Sequence, residues 1–587
     1  MSTTHSRAGT RSMLNDPFGK NAWFDFKKGE PTFTGTEPKA KTLIISLILT
    51  ALIAALYFYI SLPALNPRTQ EFWTFVMIVF AVFTGIYLFR RGLKARTAGE
   101  FLQGCRKDCI VPAAVILACV VIMFAGGVIG HPLLHAGAYS RLLPFETGDF
   151  SSDVEESDFS RIPMLDSASS NTLATRKLGE LRDLVSQFEV DPDSAQINYR
   201  GKPVRVSYLN YGDIIKWWNN RASGIPAYII TDMQSQAVSV VRLESGNGIK
   251  YSPSEHFNRY LYRHLRFSYP TAIFGEVNFE IDEEGKPYWI ASVEKKTIGL
   301  FDGTDIRGAV LVNAVTGETE YYDIESVPQW VDRVYSSNLV MTQYNYYGLY
   351  HNGFINSIFG QQDCTIVTQG YNYLAMNDDV WLYTGVTSVG GDESNVGFIL
   401  VNQRTKEAKY YSCAGAEEYS GMASAEGAVQ QYSYAATFPL LLNISGQPTY
   451  FMALKDNSQL VKMYAMVNVR EYQLVATAAT VSQCQENYVN LLAQQGIIGN
   501  AEAAAAIHAD LGTVEGKVVD LRSAVIDGNT VYYIKLDEDN RYFTISAADA
   551  PMAVILDVGD RVEISCAAND NNAIAAAASL TVLGSGG

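Results

Sequence analysis

The sequence predicts an α+β protein held to a membrane, with three N-terminal transmembrane helices, repeated antiparallel sheet-plus-helix modules and a C-terminal β-barrel. Uncharged apolar runs occupy Leu43–Leu62, Phe72–Phe89 and Cys109–Gly130, each about long enough to cross a bilayer as a helix. A fifteen-residue motif recurs 89 residues apart, at Gly308–Tyr322 and Gly397–Tyr411, with eight identities and no gap. Beyond residue 510, five alternating segments are spaced like the strands of a small barrel.

The three runs define a membrane region, 42–130. Arg7, Arg11, Lys20, Lys27, Lys28, Lys39 and Lys41 precede the first run. Arg90, Arg91, Lys94, Arg96, Arg106 and Lys107 separate the second from the third, whereas Pro63–Glu71 carries only Arg68. Lysine and arginine resist translocation, so both basic flanks belong inside. Residues 1–41 are then a cytoplasmic segment, the chain crosses the cell membrane three times, and residues after about 131 are extracytoplasmic. The first run exceeds a signal-peptide core and no small-residue cleavage site follows Leu62, so it reads as an uncleaved anchor. No ionisable residue interrupts the runs, which disfavours a transporter or pump. Gly126, Gly127 and Gly130 suit either close helix packing or a lipid-facing surface. Cys105 and Cys109, one turn apart, read as inert thiols or as a lipidation border.

Of 45 basic and 61 acidic side chains, 14 and 7 fall in residues 1–130, which leaves 31 and 54 beyond them and a net charge of −23 there. Such a surface repels phosphate backbones, so nucleic acid is not expected as a partner. Cys364, Cys413, Cys484 and Cys566 are exported and even in number, which permits up to two disulfides without requiring any.

Residues 131–170 form an acidic linker with Asp149, Asp153, Glu155, Glu156 and Asp158, expected as a tether or loosely packed collar. Residues 171–500 form the α+β repeat region. Leucines at one-turn spacing predict a helix in Asn171–Phe188. Each copy of the repeated motif predicts a hairpin: a β-rich run reaches Asn, a Thr-containing turn follows, and a second strand ends in paired tyrosines. A strand precedes each copy, at Pro287–Val293 and Asp379–Val389, and a helix-like segment follows, at Glu325–Tyr335 and Ala414–Gln431. Degenerate copies run through Thr449–Leu454, Val461–Asn468 and the helix Ser482–Gln494, and earlier through Tyr228–Asp232, Ala237–Leu243 and the helix Pro253–Phe267. Lys406 stands where the first copy has Gly317, so a different turn is expected there. The unit Gly-x-x-Leu-Val-Asn-x-x-Thr-Gly-Glu with its neighbouring helix resembles the PepSY-type module of bacterial exported proteins. The resemblance implies a small antiparallel sheet packed on a helix, binding or inhibition of peptidases, and envelope regulation. It brings no catalytic residues.

Residues 510–584 supply the strands Val514–Leu521, Thr530–Leu536, Tyr542–Ile545, Arg561–Cys566 and Leu580–Leu583, with Asp527-Gly528-Asn529 as a hairpin turn. The opening Gly512-Thr-Val-Glu-Gly-Lys-Val518 and the later Val558-Gly-Asp-Arg-Val-Glu-Ile564 resemble an OB-like barrel. OB folds often bind oligonucleotides or oligosaccharides on one sheet face. In this acidic, exterior setting, protein contact or spacing is the expected role.

The sequence contains no His-Glu-x-x-His, Gly-x-Ser-x-Gly or phosphate-loop motif, and no catalytic residue, cofactor or metal site is assigned. His256, Arg259, Arg263, His264 and Arg266 form a basic patch. It reads as an intramolecular partner for acidic loops, or as a docking site for an acidic partner or anionic polymer. Tyr344, Tyr346, Tyr347, Tyr350, Tyr371 and Tyr373 read as half-buried packing or as an aromatic surface for sugars or peptides. Asp378, Asp379, Asp392 and Glu393 bracket a strand and read as solvated turns. The expected function is a membrane-anchored extracytoplasmic binding or scaffold protein that regulates an envelope peptidase or joins a membrane complex. Its partners would be the lipid bilayer and an envelope or membrane protein, with homo-oligomerisation left open. The alternative is a cell-surface enzyme acting on peptide or glycan. That reading requires His256, His264, Asp378, Asp379 and Glu393 to converge in one cleft.

Overall fold

The apolar runs form three helices, Lys39–Ser61, Gln70–Gly92 and Ile110–Gly130, and residues 40–61, 70–91 and 110–130 are long and apolar enough to span a membrane. This computed structural model describes residues 24–25, 32–33, 39–92, 109–154, 162–244, 246–376, 378–390, 394–499, 503, 511–526, 529–547, 550–567 and 573–584. Most of the basic N-terminal flank, the basic loop 93–108 with Cys105, and Glu155, Glu156, Asp158, Asp392, Glu393, Asp527 and Gly528 lie outside them. The middle helix packs against both others. Leu62 ends the first helix in a left-handed conformation, φ 52°, with its N–H on the Phe58 carbonyl at 3.0 Å. Pro63, which has no N–H to donate, follows it.

Four sheets then stack in chain order. The first is Ala195–Tyr199, Lys202–Ser207, Ala227–Asp232 and Val238–Arg242, and the second is Ile273–Ile281, Pro287–Ile298, Asp302–Asn313 and Thr319–Asp323. The third is built on Asp379–Ser388, Ser394–Asn402 and Ala408–Ala416, and the fourth on Leu440–Ile444, Gln447–Lys455, Val461–Asn468 and Val475–Ala478. Strand alternation explains the stacking. Val310 and Val312 face the core shared with the first sheet, while Ala309 and Leu311 face the core shared with the third. One sheet further on, Ile399 and Val401 face back into that same core, and Phe398 and Leu400 face forward onto the fourth sheet. Both motif copies therefore lie in strands buried on two faces, which is why their apolar runs read as nearly continuous.

The repeated turns share one hydrogen-bond plan. Asn313 Oδ1 accepts from the N–H groups of Val315 and Thr316 at 3.0 and 2.9 Å, and Asn402 Oδ1 from those of Arg404 and Thr405 at 2.8 and 2.9 Å. Asp232 does the same for Gln234 and Ser235, which places the degenerate first-sheet hairpin with them. The expectation of a different turn at Lys406 is corrected. Lys406 adopts φ 69° where Gly317 adopts 79°, and each N–H returns to the Asn four residues earlier. Lys406 is held there by its ammonium on Asp305 at 2.6 Å. Gly317 has no such freedom, because a Cβ would enter the Tyr251 ring. Gly317→Ala is therefore expected to lower stability by about 2 kcal/mol, read as a lower thermal midpoint of the full chain in detergent.

Other boundaries move for local reasons. Glu325–Tyr335 holds only the 3-10 turn Ile324–Ser326, since Pro328 interrupts it and the N–H groups of Asp332 and Arg333 serve a side chain instead. The helix begins at Ser337, where the Ser336 hydroxyl caps Leu339 N–H at 3.3 Å, and runs to Tyr350. The second helix is Glu418–Ala428, shorter than Ala414–Gln431 because the preceding strand continues to Ala416. Pro253–Phe267 narrows to Leu261–Ser268.

The acidic linker is also corrected. Leu143 is buried in the core between the second and third sheets, Phe150, Val154 and Ile162 are buried in the next core, and Glu146–Gly148 adds a parallel strand beside Lys409–Tyr411. A few well-placed apolar side chains suffice to seat a segment whose average composition is polar. Cys364, Cys413 and Cys484 are buried free thiols, and Cys566 is buried.

Leu511–Ile526, Asn529–Leu536, Tyr542–Ser546, Arg561–Ala567 and Ile574–Gly584 close on one another around their own core of Val518, Ile534, Phe543, Val562 and Ile564.

Candidate functional site

The C-terminal ends of the first and third helices converge on one part of the body. The connection after Leu62 is tied down by backbone groups: Leu65 N–H donates to the Pro270 carbonyl and Asn66 Nδ2 to that of Thr271, both at 2.9 Å. Arg68 Nη1 donates to the Lys296 carbonyl at 2.5 Å. From the body, the short helix Leu261–Ser268 buries Leu261 and Leu265 and turns two guanidinium groups toward the membrane helix. Arg263 Nε donates to the Tyr59 carbonyl at 3.0 Å and lies over the Tyr59 ring at 3.9 Å. Arg266 Nε donates to the Leu62 carbonyl at 2.9 Å and Nη1 to that of Ala272 at 2.6 Å. The last carbonyls of a helix have no partner within it and carry its negative dipole end, so cationic donors suit them.

The third helix docks by shape. Its Gly126 accepts the Phe301 ring and its Gly130 the Asp302 side chain, which a Cβ at either position would overlap, and a Cβ on Gly299 would meet the Gly130 backbone. Gly127 has open space around it, so two of the three glycines form the contact. Gly126→Leu is expected to part the helix from the Gly299–Gly303 turn, read as several-fold faster proteolysis or amide exchange there with the barrel unchanged.

Between these contacts lies a cavity of about 520 Å³. Arg68, Arg266 and Lys296 supply cations to its lining, and Glu71, Glu294 and Asp302 supply anions. Lys296 Nζ is engaged by Glu294 at 2.9 Å and by the Thr304 hydroxyl at 2.7 Å. Burial raises the Asp302 carboxyl above its ordinary range. With three charges of each sign and no histidine or thiol in its lining, the cavity is suited to holding a polar or dipolar group.

The basic patch is distributed among several partners. Arg263 and Arg266 cap the membrane helix, Arg259 Nη1 donates to the Arg221 carbonyl at 2.6 Å, and His264 Nε2 pairs with the Gly317 carbonyl at 2.7 Å. His256 is exposed and meets Trp217 edge-on at 4.6 Å. The contacts of both capping arginines are intramolecular, and they are made to main-chain carbonyls, where sequence reasoning looked to acidic loops. Of the aromatic set, Tyr344 and Tyr373 are buried, Tyr371 is exposed, and Tyr346 and Tyr350 pack on Tyr139 at 4.7 and 6.2 Å. Tyr347 packs on Phe145 at 4.6 Å. Asp379 is bidentate to Arg404 at 2.7 Å, and Asp378 accepts from Asn198 at 2.7 Å.

Sequence reasoning missed a buried polar centre where the first three sheets meet. Both oxygens of Glu280 accept backbone N–H groups, from Asp332 at 2.9 Å and Arg333 at 3.0 Å. Asp332 accepts from Asn198 N–H at 2.6 Å, and Arg333 Nη2 donates to the Tyr373 hydroxyl at 2.6 Å. Burial pushes the Glu280 carboxyl up to about 7 and Asp332 well above its usual range, and holds the nearby Arg205 down to about 10. Among the described residues, no three His, Cys, Asp or Glu side chains are grouped to hold a metal ion.

No protein-family model matches the chain, and no curated protein matches it either.

Proposed function

We propose that the protein is a membrane-anchored extracytoplasmic scaffold that presents a rigid stack of sheets to a protein partner at the outer membrane surface. The observation that carries this reading is the double lock between anchor and body: two guanidinium caps on the first helix and two glycine sockets on the third. A tether for a freely tumbling domain needs neither. The basic flanks of the first and third helices support a body outside the cytoplasm. The repeated hairpins support a PepSY-like module with peptidase regulation as its most specific form, and the five-strand closed order supports an OB-like end domain used for contact or spacing. Of the described groups that the enzyme reading needs together, His264 is engaged on the second-sheet turn and Asp379 on the third-sheet turn.

The test is crosslinking of the full chain in its native membrane at native expression, followed by detergent extraction and mass spectrometry. The scaffold reading expects a reproducible envelope or membrane protein crosslinked to the stack, retained in a barrel-deleted chain. Recovery of the chain alone, with hydrolysis of a peptide or glycan library by the purified protein, would replace it with the enzyme reading.

A further inference from the structure

Among the exposed large apolar side chains outside the spanning helices, two groups adjoin the ends of those helices, apart from others such as Val554, Ile555 and Val558 on the C-terminal domain. The first is an open groove of about 720 Å³ that runs from Tyr59, near the end of the first helix, past Ile214, Ile215, Trp218 and Phe257. Ile215 is 69 % exposed and Phe257 64 %. Phe257 is held outward in a left-handed conformation, φ 54°, with its carbonyl bound by Arg263 at 2.6 Å. Phe267, on the capping helix, is exposed and meets Phe58 edge-on at 5.4 Å.

The second is the segment Phe354–Gly360. Phe354 packs on His131, the residue just past the third helix, at 5.6 Å. Ile355 and Ile358 are exposed, and Phe359 is 82 % exposed. The polar side chains of this segment fold onto its own backbone. Asn356 donates to the Gln362 carbonyl at 2.9 Å and accepts its N–H at 3.2 Å, and the Ser357 hydroxyl donates to the Phe354 carbonyl at 2.7 Å. With these polar groups bound locally, the large exposed side chains of the segment are apolar, which suits a lipid interface.

Each patch adjoins the end of a helix long and apolar enough to span a bilayer: the groove includes Tyr59, and Phe354 packs on His131. We infer that the body rests on the outer leaflet of the bilayer its own helices cross, with Ile214, Ile215, Trp218 and Phe257 on one side of the anchor and Ile355 and Phe359 on the other immersed at the lipid interface. The inference rests on the three-helix anchor and adds to it a fixed membrane-facing side. The sheet stack is then held at one height and tilt, which limits a partner to the sides and top of the array.

The test is photolabelling of the full chain reconstituted in phosphatidylcholine vesicles that contain a phosphatidylcholine with a diazirine near the glycerol end of its acyl chain. Peptide mapping should find label in 214–218 and 354–360 at least about tenfold above barrel strand 561–567. A chain carrying Ile355→Asp and Phe359→Asp should lose most label at 354–360 and keep it at 214–218; both side chains are exposed, so the fold does not depend on them. Label in the spanning helices with both segments at the barrel's background overturns the inference alone. Absence of label from the spanning helices overturns the anchor itself. Crosslinks joining 354–360 of two copies, without lipid label, would make this patch a contact between copies and also overturn the inference.

Discussion

Arg266→Ala is expected to destabilise the full chain by about 3 kcal/mol, more than any other single truncation at the junction. The guanidinium is buried and serves the carbonyls of Leu62, Ala272 and, at 3.4 Å, Pro270, with the Phe274 ring 5.3 Å away. Removing it takes this donor from the Leu62 and Ala272 carbonyls, while Pro270 keeps the Leu65 N–H, and takes the positive charge from beside the end of the first helix. Burial lowers the pKa of Arg266, but a guanidinium keeps its charge at every pH the protein meets. Charge alone is not what is lost. Arg266→Lys keeps the charge without the fork and should recover less than half of the stability.

The readouts are the thermal midpoint in nanodiscs and amide exchange. Exchange should rise together in 62–69 and 261–272 and stay fixed in the barrel strands 511–567. Arg263, half-buried over Tyr59, should show the same pattern at about 1 kcal/mol. Wild-type midpoints and exchange in both variants would show that the caps carry no energy, and the double lock would reduce to its glycine half.

The caps also mark where the sequence stops being informative. The spanning helices were legible from run length and hydropathy, and the sheet array from a motif that returns in register after 89 residues. Asn313 and Asn402 fix their turns so locally that even the Lys406 exchange leaves the geometry intact, a case in which the expected change was wrong. The partners of Arg263 and Arg266, by contrast, are carbonyls 204 residues earlier in the chain. A main-chain acceptor leaves no side-chain signature, so the patch was visible and its purpose was not. Linker residues Leu143, Phe150 and Val154 were misjudged for a related reason: mean polarity hides a few buried anchors. Glu280 alternates with Phe279 and Ile281 as a solvent-facing residue should, and only the packing of three sheets turns that face inward.

That buried face makes the stack weaken as pH rises. Glu280 titrates near 7 in the folded chain, against an ordinary 4.5, and Asp332 is displaced in the same direction, mainly by burial and then by the Glu280 charge. The folded chain therefore binds more protons than the unfolded chain between these limits, so stability falls with pH across that window. It is fully present below about pH 4.5, the unfolded value, and is lost as pH climbs through about 7. A displacement of this size corresponds to a change on the order of 3 kcal/mol, with the Asp332 contribution of the same sign.

Asp166 and Asp305 work the other way. Their pairs with Lys455 and Lys406, both at 2.7 Å or less, hold them below the ordinary 3.8, and their contribution is lost only as pH falls below that value. The two effects occupy separate windows, so the thermal midpoint of the wild-type chain should peak near pH 4–5 and decline to pH 8. Asp332→Asn isolates the buried centre, because an amide oxygen can still accept the Asn198 N–H while the group no longer ionises. It removes the carboxyl whose ionisation burial and the Glu280 charge oppose. Its midpoint should fall less steeply from pH 5 to 8 and cross above the wild type by about pH 8. Parallel curves for the two chains would assign the decline to the general acidity of the body instead. A buried Arg333 paired to Tyr373 then remains as the centre's fixed charge in both chains, so the difference between their slopes reads the carboxyl protons.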